Sequence, residues 1–215
     1  MAVEEVLEEV AAEVRVCTKC DLCKNTKNGV PGEGSPHAEV LFIGEAPGYH
    51  EDRQGRPFIG PAGQFLNELL GSVGLDRSTV FITNVVKHRP PENRDPLPDE
   101  IAACSDYLTR QIAALNPKVI VTLGRFSMAR FFPGAKISAI HGQAKKVDGR
   151  VVVAMYHPAA ALHQQSLRQT VVDDFKRSIP PALAEARRME AEGALGNTPE
   201  KKDDEDEPPK QLSLF

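Results

Sequence analysis

A short apolar run that ends in a glycine- and proline-containing turn is the feature that most constrains the fold of this chain. Residues 40–43 read Val-Leu-Phe-Ile, and Gly44-Glu45-Ala46-Pro47-Gly48 follows directly. A run of this length with β-branched ends is typical of a parallel strand that is covered on both faces. Open α/β sheets bind their ligands beyond the carboxyl ends of such strands. The acidic turn after residue 43 is therefore predicted to belong to a functional site.

The rest of the chain alternates between strand and helix patterns. The predicted strands cover 40–43, 80–86, 118–124 and 151–156, and the predicted helices cover 3–15, 61–70, 98–115, 125–132 and a last segment around 171–175. A hairpin turn is predicted at 147–150. Strands that alternate with helices predict an α/β fold of three layers, α/β/α, with a mostly parallel central sheet.

Composition fits one folded domain with an additional segment. The chain has 215 residues, of which 41% are hydrophobic, and this is enough for a proper core. We assign residues 1–182 to the domain, including an N-terminal loop that contains cysteines. Residues 183–210 become polar and acidic, and such a composition cannot bury enough apolar surface to fold. We expect them to form a largely disordered linker before the last five residues, 211–215.

The charge balance and the hydropathy of the chain exclude few functions. The net charge is −4 at pH 7, so a nucleic-acid partner would have to be bound by local basic patches. No apolar stretch approaches about 18 residues, and no basic-then-apolar leader is present. We therefore expect a cytoplasmic protein without membrane contact.

Three of the four cysteines, Cys17, Cys20 and Cys23, are each separated by two residues. In an intracellular chain this spacing indicates metal ligands and not a disulfide framework. Residues 17–36 are rich in Lys, Asn, Gly and Pro, which is typical of a loop folded around an ion or a cluster.

Four motifs together resemble the family 4 uracil-DNA glycosylases. They are Gly44–Gly48, Gly55–Phe58, Thr83–Lys87 and Tyr156–Ala160, in the order and spacing of that family. The resemblance covers residues 14–178. It implies a DNA repair enzyme that flips uracil out of DNA and hydrolyses its N-glycosidic bond, which initiates base excision repair. The implied partner is uracil-containing DNA, and we expect a monomer associated with the nucleoid.

A uracil pocket needs an aromatic ring for stacking, an amide that reads the Watson–Crick edge and a donor near O2, where negative charge collects as the base leaves. By the resemblance, Phe58, Asn84 and His157 supply these three groups. The amide of an asparagine can pair with uracil N3–H and O4, whereas cytosine presents the opposite pattern. Asn84 is therefore expected to exclude cytosine.

The resemblance also assigns Gly44, Glu45, Ala46 and Glu51 to the pocket. It implies that His157, Glu45 and Asn84 are the catalytic residues of a mainly dissociative reaction, in which water attacks an oxocarbenium-like sugar late. The sequence leaves open whether Glu45 or Glu51 positions that water.

Members of this family hold a 4Fe–4S cluster with four cysteines. Cys17, Cys20 and Cys104 match three of these positions, and His88 stands at the remaining one. We favour His88 as the fourth ligand, because its position between fixed motifs is set by the fold. Cys23 is the alternative, since Cys-x2-Cys-x2-Cys is itself a ferredoxin-like spacing. A tetrahedral zinc site with the same ligands is a third possibility. The expected role is structural, because glycosidic cleavage needs no electron.

Two other functions remain open at this point: a non-catalytic Fe–S or zinc DNA-binding module, and a glycosylase of the same fold with a broader lesion range. The C-terminal peptide Gln211–Phe215 reads Gln-Leu-Ser-Leu-Phe. It resembles the pentapeptide with which bacterial repair and replication proteins dock on the sliding clamp. The clamp is therefore predicted as a second partner.

Overall fold

A computed structural model describes residues 1–193, and within them six strands form one mixed sheet. The strands are β1 (Glu33–Gly34), β2 (Val40–Gly44), β3 (Phe81–Asn84), β4 (Val119–Leu123), β5 (Ala144–Val147) and β6 (Arg150–Met155). Their order in the sheet is β1-β3-β2-β4-β6-β5. The four central strands are parallel, and the edge strands β1 and β5 are antiparallel to their neighbours. The predicted mostly parallel sheet is confirmed.

Helices cover both faces of the sheet. They are α1 (Val3–Arg15), α2 (Tyr49–Gln54), α3 (Pro61–Ser72), α4 (Pro98–Leu115), α5 (Arg125–Ala129), α6 (Ile137–Ile140), α7 (Pro158–His163) and α8 (Gln165–Ala191). Apolar residues of α3, α7 and α8 form the core on one face, and those of α1, α4 and α5 form the core on the other. The result is the three-layer α/β/α arrangement that the sequence predicts.

Strand β2 lies between the two hydrophobic cores, and every residue in it is buried. Val40 and Phe42 face the layer that contains α8, while Leu41 and Ile43 face the layer that contains α4. Phe42 stacks on Phe175 of α8, with ring centroids 6.2 Å apart. This burial on two faces explains the continuous apolar run, because a polar residue at any position in the strand would place a polar side chain in one of the two cores.

Helix α8 extends beyond the predicted domain boundary at residue 182. Ala186 and Met189 are buried in the core, and Arg187 forms an ion pair with Glu39 at 2.6 Å. The composition rich in Ala, Glu and Arg favours a helix, and its small or apolar residues fall on the face toward the sheet. Residues 183–191 therefore belong to the folded body and not to a linker. Residues 194–210 of the predicted linker and the peptide 211–215 lie outside the described residues.

Several boundaries differ from the predicted ones. Strand β3 ends at Asn84, although residues 85–88 stay buried, and α5 ends at Ala129 and not at residue 132. The short elements β1, α2, α6 and α7 were not predicted, because each is too brief to show a period. Within residues 1–193, no helix is both long enough and apolar enough to cross a membrane.

Candidate active site

A cavity of about 400 Å³ opens at the sheet edge where the parallel strands end. Gly44 at the end of β2 pairs with Asn84 at the end of β3, and β6 ends two residues before His157. The cavity is lined by residues of all four motifs, among them Glu45, Ala46, Phe58, Asn84 and His157, and also by Glu51, which lies between the first two motifs. Except for Gly44, every residue predicted for the pocket contributes to its wall.

Gly44 lies directly behind the wall of the cavity, where a side chain could not be accommodated. A Cβ atom at this position would stand 2.3 Å from Asn84 Oδ1 and 2.5 Å from Phe58 Cζ. These distances are far below van der Waals contact. The glycine therefore allows the amide and the aromatic ring to approach each other across the end of β2.

The side-chain amide of Asn84 is the most unusual polar group in the cavity. Asn84 is 1% exposed, and its Oδ1 accepts no hydrogen bond from the described residues. A buried acceptor without a partner costs about 1–3 kcal/mol. Most buried polar groups are satisfied, so an orphan at a cavity wall indicates a ligand that brings its own donor.

The buried ammonium of Lys87 holds the end of β3 in place. Lys87 is fully buried, and its Nζ donates to Thr83 Oγ1 at 2.7 Å, to the Asn84 carbonyl at 2.9 Å and to Gln111 Oε1 at 2.8 Å. Burial lowers the pKa of Lys87 to about 7. Its bond to the main chain of Asn84 fixes the residue that presents the orphan amide.

Phe58 adopts a backbone conformation that is rare for an aromatic residue, with φ at 51°. Its ring stacks on that of His157, with centroids 5.6 Å apart and planes 26° from parallel. A Cβ on Gly63 would stand 1.9 Å from the Phe58 carbonyl oxygen. Backbone strain of this kind concentrates at functional sites and is maintained by the surrounding structure.

Glu51 ties helix α2 to the loop that follows Phe58. It is 9% exposed, and its Oε1 accepts hydrogen bonds from the amides of Ile59 at 2.9 Å and Gly60 at 2.8 Å. One carboxylate oxygen is thus committed to positioning the loop that carries the aromatic ring.

Glu45 lines the same cavity, but its carboxylate accepts no hydrogen bond within residues 1–193. Burial raises the pKa of Glu45, and the nearby charge of Asp95 raises it further, while Arg125 opposes both effects. A carboxylate with a raised pKa and free oxygens is suited to accept a proton from a bound water molecule.

His157 caps helix α7 and is held as a neutral imidazole. Its Nδ1 accepts a hydrogen bond from the amide of Ala159 at 3.1 Å. Burial lowers the pKa of His157 to about 4, although the charge of Glu51 opposes the shift. Since Nδ1 is the acceptor, the ring proton of the neutral form resides on Nε2. Nε2–H is thereby available as a fixed donor.

The comparison with known families agrees with this geometry. The family model described as the uracil DNA glycosylase superfamily matches residues 31–178. The chain belongs to the uracil DNA glycosylase superfamily.

Similar members of the superfamily extend over most of the chain. A type-4 uracil-DNA glycosylase from Archaeoglobus fulgidus is 47% identical over 182 residues, which cover 80% of this chain and 92% of that protein. The type-4 enzyme from Sulfurisphaera tokodaii is 49% identical over 193 residues, covering 84% and 87%. That from Thermotoga maritima is 43% identical over 180 residues, covering 81% and 94%.

The cavity of this superfamily member also includes residues to which the sequence assigned no individual role. Four of them lie within the motifs, namely Pro47, Gly48, Ala159 and Ala160, and five lie outside, namely Ala62, Pro90, Asn93, Arg94 and His163. Arg94 is anchored by Glu100, with nitrogen–oxygen distances of 2.7 and 2.9 Å. The sequence signal for Pro90, Asn93 and Arg94 was the Pro90-Pro91 pair, which follows the third motif after two residues and begins an irregular segment.

The predicted metal ligands lie where α1, the N-terminal loop and α4 meet. Cys104 is buried in α4, and Cys17 and Cys20 are half-buried against the same core. Burial raises the pKa of Cys104, and the charges of Cys20 and Cys17 raise it further, while the backbone and the ammonium of Lys87 lower it. These three thiols therefore form one group close to residue 87.

The two contenders for the fourth ligand differ in their surroundings. His88 is 5% exposed and directly follows Lys87, whose backbone acts on Cys104. Cys23 lies in the 3-10 turn Asp21–Asn25, where its charge contributes to the raised pKa of Cys20, for which burial is the main cause. Among residues 1–193, no three Cys, His, Asp or Glu side chains are arranged closely enough to hold a single ion.

Proposed function

We propose that this chain is a uracil-DNA glycosylase of the type-4 class, which excises uracil from DNA and so initiates base excision repair. The observation that carries the proposal is the orphan Oδ1 of Asn84, which lies beside the Phe58 ring at the wall of the cavity. The names of the similar proteins agree with it.

Recognition of the base follows from the donor and acceptor pattern of the cavity. Uracil carries a proton on N3 that Asn84 Oδ1 can accept, and its O4 can accept from the amide nitrogen. Cytosine has an unprotonated N3, so it would leave Oδ1 without a partner. An unpaired buried acceptor costs about 1–3 kcal/mol, and this penalty supports selection of uracil over cytosine. The ring of Phe58 supplies the stacking surface for the flipped base.

Departure of the base requires stabilisation of its developing negative charge. As the bond between N1 of uracil and C1′ of the sugar breaks, its electron pair goes to the base, and charge accumulates on O2. The neutral ring of His157 already carries its proton on Nε2, so this N–H can donate a hydrogen bond to O2. A preorganised donor of this kind is worth on the order of a hundredfold or more in rate.

The sugar is left as an oxocarbenium-like species, to which water adds while it gives up a proton. Glu45 fits the role of proton acceptor better than Glu51. One oxygen of Glu51 is occupied by two backbone amides, whereas burial raises the pKa of Glu45 and leaves it ready to take a proton. We infer that Glu51 positions the loop that carries Phe58 and that Glu45 accepts the proton.

A 4Fe–4S cluster fits the donor set formed by Cys17, Cys20, Cys104 and His88. The four ligands of such a cluster bind four different irons and stand farther apart than the ligands of one ion. Cys17, Cys20 and Cys104 pack against one core, next to the segment that carries His88, and tetrahedral zinc with the same ligands is the alternative. When bound, it would connect the N-terminal loop to α4 and to the segment after β3.

Excision is tested with a single-stranded oligonucleotide that contains one uracil, incubated with the purified protein and then treated with alkali. The expected result is a strand break at the uracil position, because an abasic site is cleaved by alkali. Matched oligonucleotides with thymine or cytosine at the same position should stay intact. An intact uracil strand would refute the proposal and leave the non-catalytic DNA-binding module.

A broader lesion range is tested with the same protocol on strands that contain hypoxanthine or ethenocytosine. Pairing of the Asn84 amide with N3–H and O4 of uracil supports the narrower specificity. Cleavage of either strand at a rate close to that of the uracil strand would contradict it.

Recruitment by the sliding clamp is proposed on the sequence of Gln211–Phe215 alone, since this peptide lies outside the described residues. An apolar peptide at the end of a polar segment can raise the local enzyme concentration near its partner. A pull-down with the clamp should retain the full chain and lose a chain that ends at residue 210. Equal retention of both chains would show that the peptide does not bind the clamp. The activity of the shortened chain on free oligonucleotides should equal that of the full chain.

A further inference from the structure

Tyr49 is a large aromatic side chain that lies exposed beside the cavity. It is 50% exposed and is the first residue of α2, directly after Gly48, which lines the cavity wall. Two residues later, Glu51 lines the same wall. The ring therefore stands at the rim of the pocket without contributing to either hydrophobic core.

Two arginines flank this ring. The guanidinium carbons of Arg53 and Arg89 lie 5.7 and 5.3 Å from the ring centroid. Neither arginine forms a salt bridge with any residue between 1 and 193, unlike Arg94 and Arg125 nearby. The rim thus combines an exposed π-surface with two positive charges that the described part of the protein does not neutralise.

Arg89 connects this surface to the cavity. Its Nε donates to Asn93 Oδ1 at 2.8 Å, and Asn93 lines the cavity with φ at 55°. On the other side, the ring of His50 meets Tyr49 edge-on, with centroids 5.5 Å apart. The aromatic ring and Arg89 are thereby held at a fixed place relative to the pocket that would receive the base.

An aromatic ring between positive groups is the arrangement with which proteins bind single-stranded nucleic acid. Successive bases stack on such rings, and the cations follow the phosphates. When a base flips out of the stack, the neighbouring bases lose a stacking contact. An exposed aromatic ring at the mouth of the pocket can restore that contact.

We propose that Tyr49, with Arg53 and Arg89, binds the nucleotide next to the extruded uracil. The tyrosine ring stacks on the neighbouring base, and the arginines contact the adjacent phosphates. This inference rests on the proposed uracil-DNA glycosylase function and adds to it a site that lies outside the base pocket. It makes excision depend on the presence of a base beside the uracil.

A purely local role for the same contacts predicts something different. Exposed cation–π pairs stabilise a protein only weakly, so loss of the ring would change the stability of α2 slightly. Such a change would lower the activity on every substrate by the same factor. Dependence on the neighbouring base is therefore the readout that separates binding from local packing.

The test uses three single-stranded oligonucleotides with one uracil each. One has ordinary neighbours, one has an abasic tetrahydrofuran residue on the 5′ side of the uracil, and one has it on the 3′ side. The value of kcat/KM is measured for the wild-type protein, for Tyr49→Ala and for Tyr49→Phe, which keeps the aromatic ring. Stacking of one base on an aromatic ring predicts that Tyr49→Ala lowers kcat/KM roughly tenfold on the ordinary strand.

On one of the two abasic strands, kcat/KM of the wild-type protein should fall to the value that Tyr49→Ala shows on the ordinary strand. On that abasic strand, Tyr49→Ala should have the same kcat/KM as the wild-type protein. Tyr49→Phe should behave as the wild type on all three strands. An alanine effect that is the same on every strand, or no effect on the ordinary strand, would overturn the proposal. Failure of the proposed function is distinguishable, because the wild-type protein would then leave the ordinary strand uncleaved.

The arginines are tested by the salt dependence of the binding of the ordinary strand. Each phosphate contact contributes about 0.7 to the slope of log K against log salt for a single strand. Arg53→Gln and Arg89→Gln should each reduce the slope by about that amount. Unchanged slopes in both variants would exclude the phosphate contacts.

Discussion

The guanidinium of Arg77 donates a hydrogen bond to the carbonyl oxygen of Phe58 at 2.9 Å, and a second one to the carbonyl of Pro57. Arg77 lies in the segment between α3 and β3, far along the chain from the loop that it holds. Phe58 has a positive φ, so these bonds help to maintain a conformation that the residue would not adopt alone. A residue outside the cavity thus positions the aromatic ring inside it.

Replacement of Arg77 should therefore impair catalysis by releasing the Phe58 loop. We expect Arg77→Met to lower kcat/KM for uracil excision by about tenfold or more, since misplacement of a positioned group by about 1 Å can cost a hundredfold. The matched control is Arg56→Met, which removes a guanidinium bound to the same Glu33 but mostly exposed. Exposed ion pairs contribute about 0–1 kcal/mol, so the control should remain active. Equal losses in both variants, or none in Arg77→Met, would contradict this role.

Excision should lose rate at acid pH as Glu45 takes up a proton. Burial raises the pKa of Glu45 above its ordinary value of 4.5, and only the ionised form can accept a proton from water. The profile of kcat/KM should therefore fall as the pH decreases through a midpoint above 4.5. Glu45→Gln should be slower and should lack this limb, while Glu51→Gln should keep it. A limb that survives in Glu45→Gln and disappears in Glu51→Gln would reverse the assignment.

The neutral state of His157 should appear in the pH dependence of folding. Its pKa is lowered from 6.5 to about 4 in the folded protein, so the unfolded chain binds more protons between these values. Stability is then fully present above pH 6.5 and decreases as the pH falls toward 4. The shift corresponds to roughly 3 kcal/mol. In denaturant unfolding at several pH values, His157→Gln should depend less on pH over this window, and an identical dependence would contradict the burial effect.

Cluster binding should distinguish the two contenders for the fourth ligand. We expect His88→Ala to lose iron and visible absorbance, and Cys23→Ser to keep both. His88→Cys introduces a thiolate at the same position and should retain the cluster. Retention of iron in His88→Ala together with its loss in Cys23→Ser would identify Cys23 as the ligand. If the wild-type protein contains zinc and no iron, the site is a tetrahedral zinc site and not a 4Fe–4S cluster.

The sequence predicted the parts of the fold and site that depend on local patterns. The run at 40–43 is apolar because both faces of β2 are buried, and this burial left a recognisable signature. Phe58, Asn84 and His157 stand in recognisable motifs at the end of a strand or in the loops that follow strands, and all three line one cavity. The end of the domain was misplaced, because the composition of residues 183–191 resembled a polar linker, whereas Ala186 and Met189 pack on the core.

Other parts depend on contacts between distant segments. Nothing in the sequence around Arg77 indicates that its guanidinium donates hydrogen bonds to the carbonyl oxygens of residues 57 and 58. Arg94 lines the cavity while its guanidinium is anchored by Glu100 of α4. The orphan state of Asn84 Oδ1 likewise results from the absence of a donor nearby within residues 1–193, which no sequence pattern encodes.

The most direct measurement of the central claim is the amount of free base released from DNA by the wild-type protein and by Asn84→Ala, quantified by chromatography. We expect the wild-type protein to release uracil and no cytosine. Asn84→Ala should release uracil more slowly by about a hundredfold or more, with an unchanged free energy of unfolding or a higher one, because a buried acceptor without a partner is removed. Uracil release by Asn84→Ala at the wild-type rate, or no release of uracil by the wild-type protein, would contradict it.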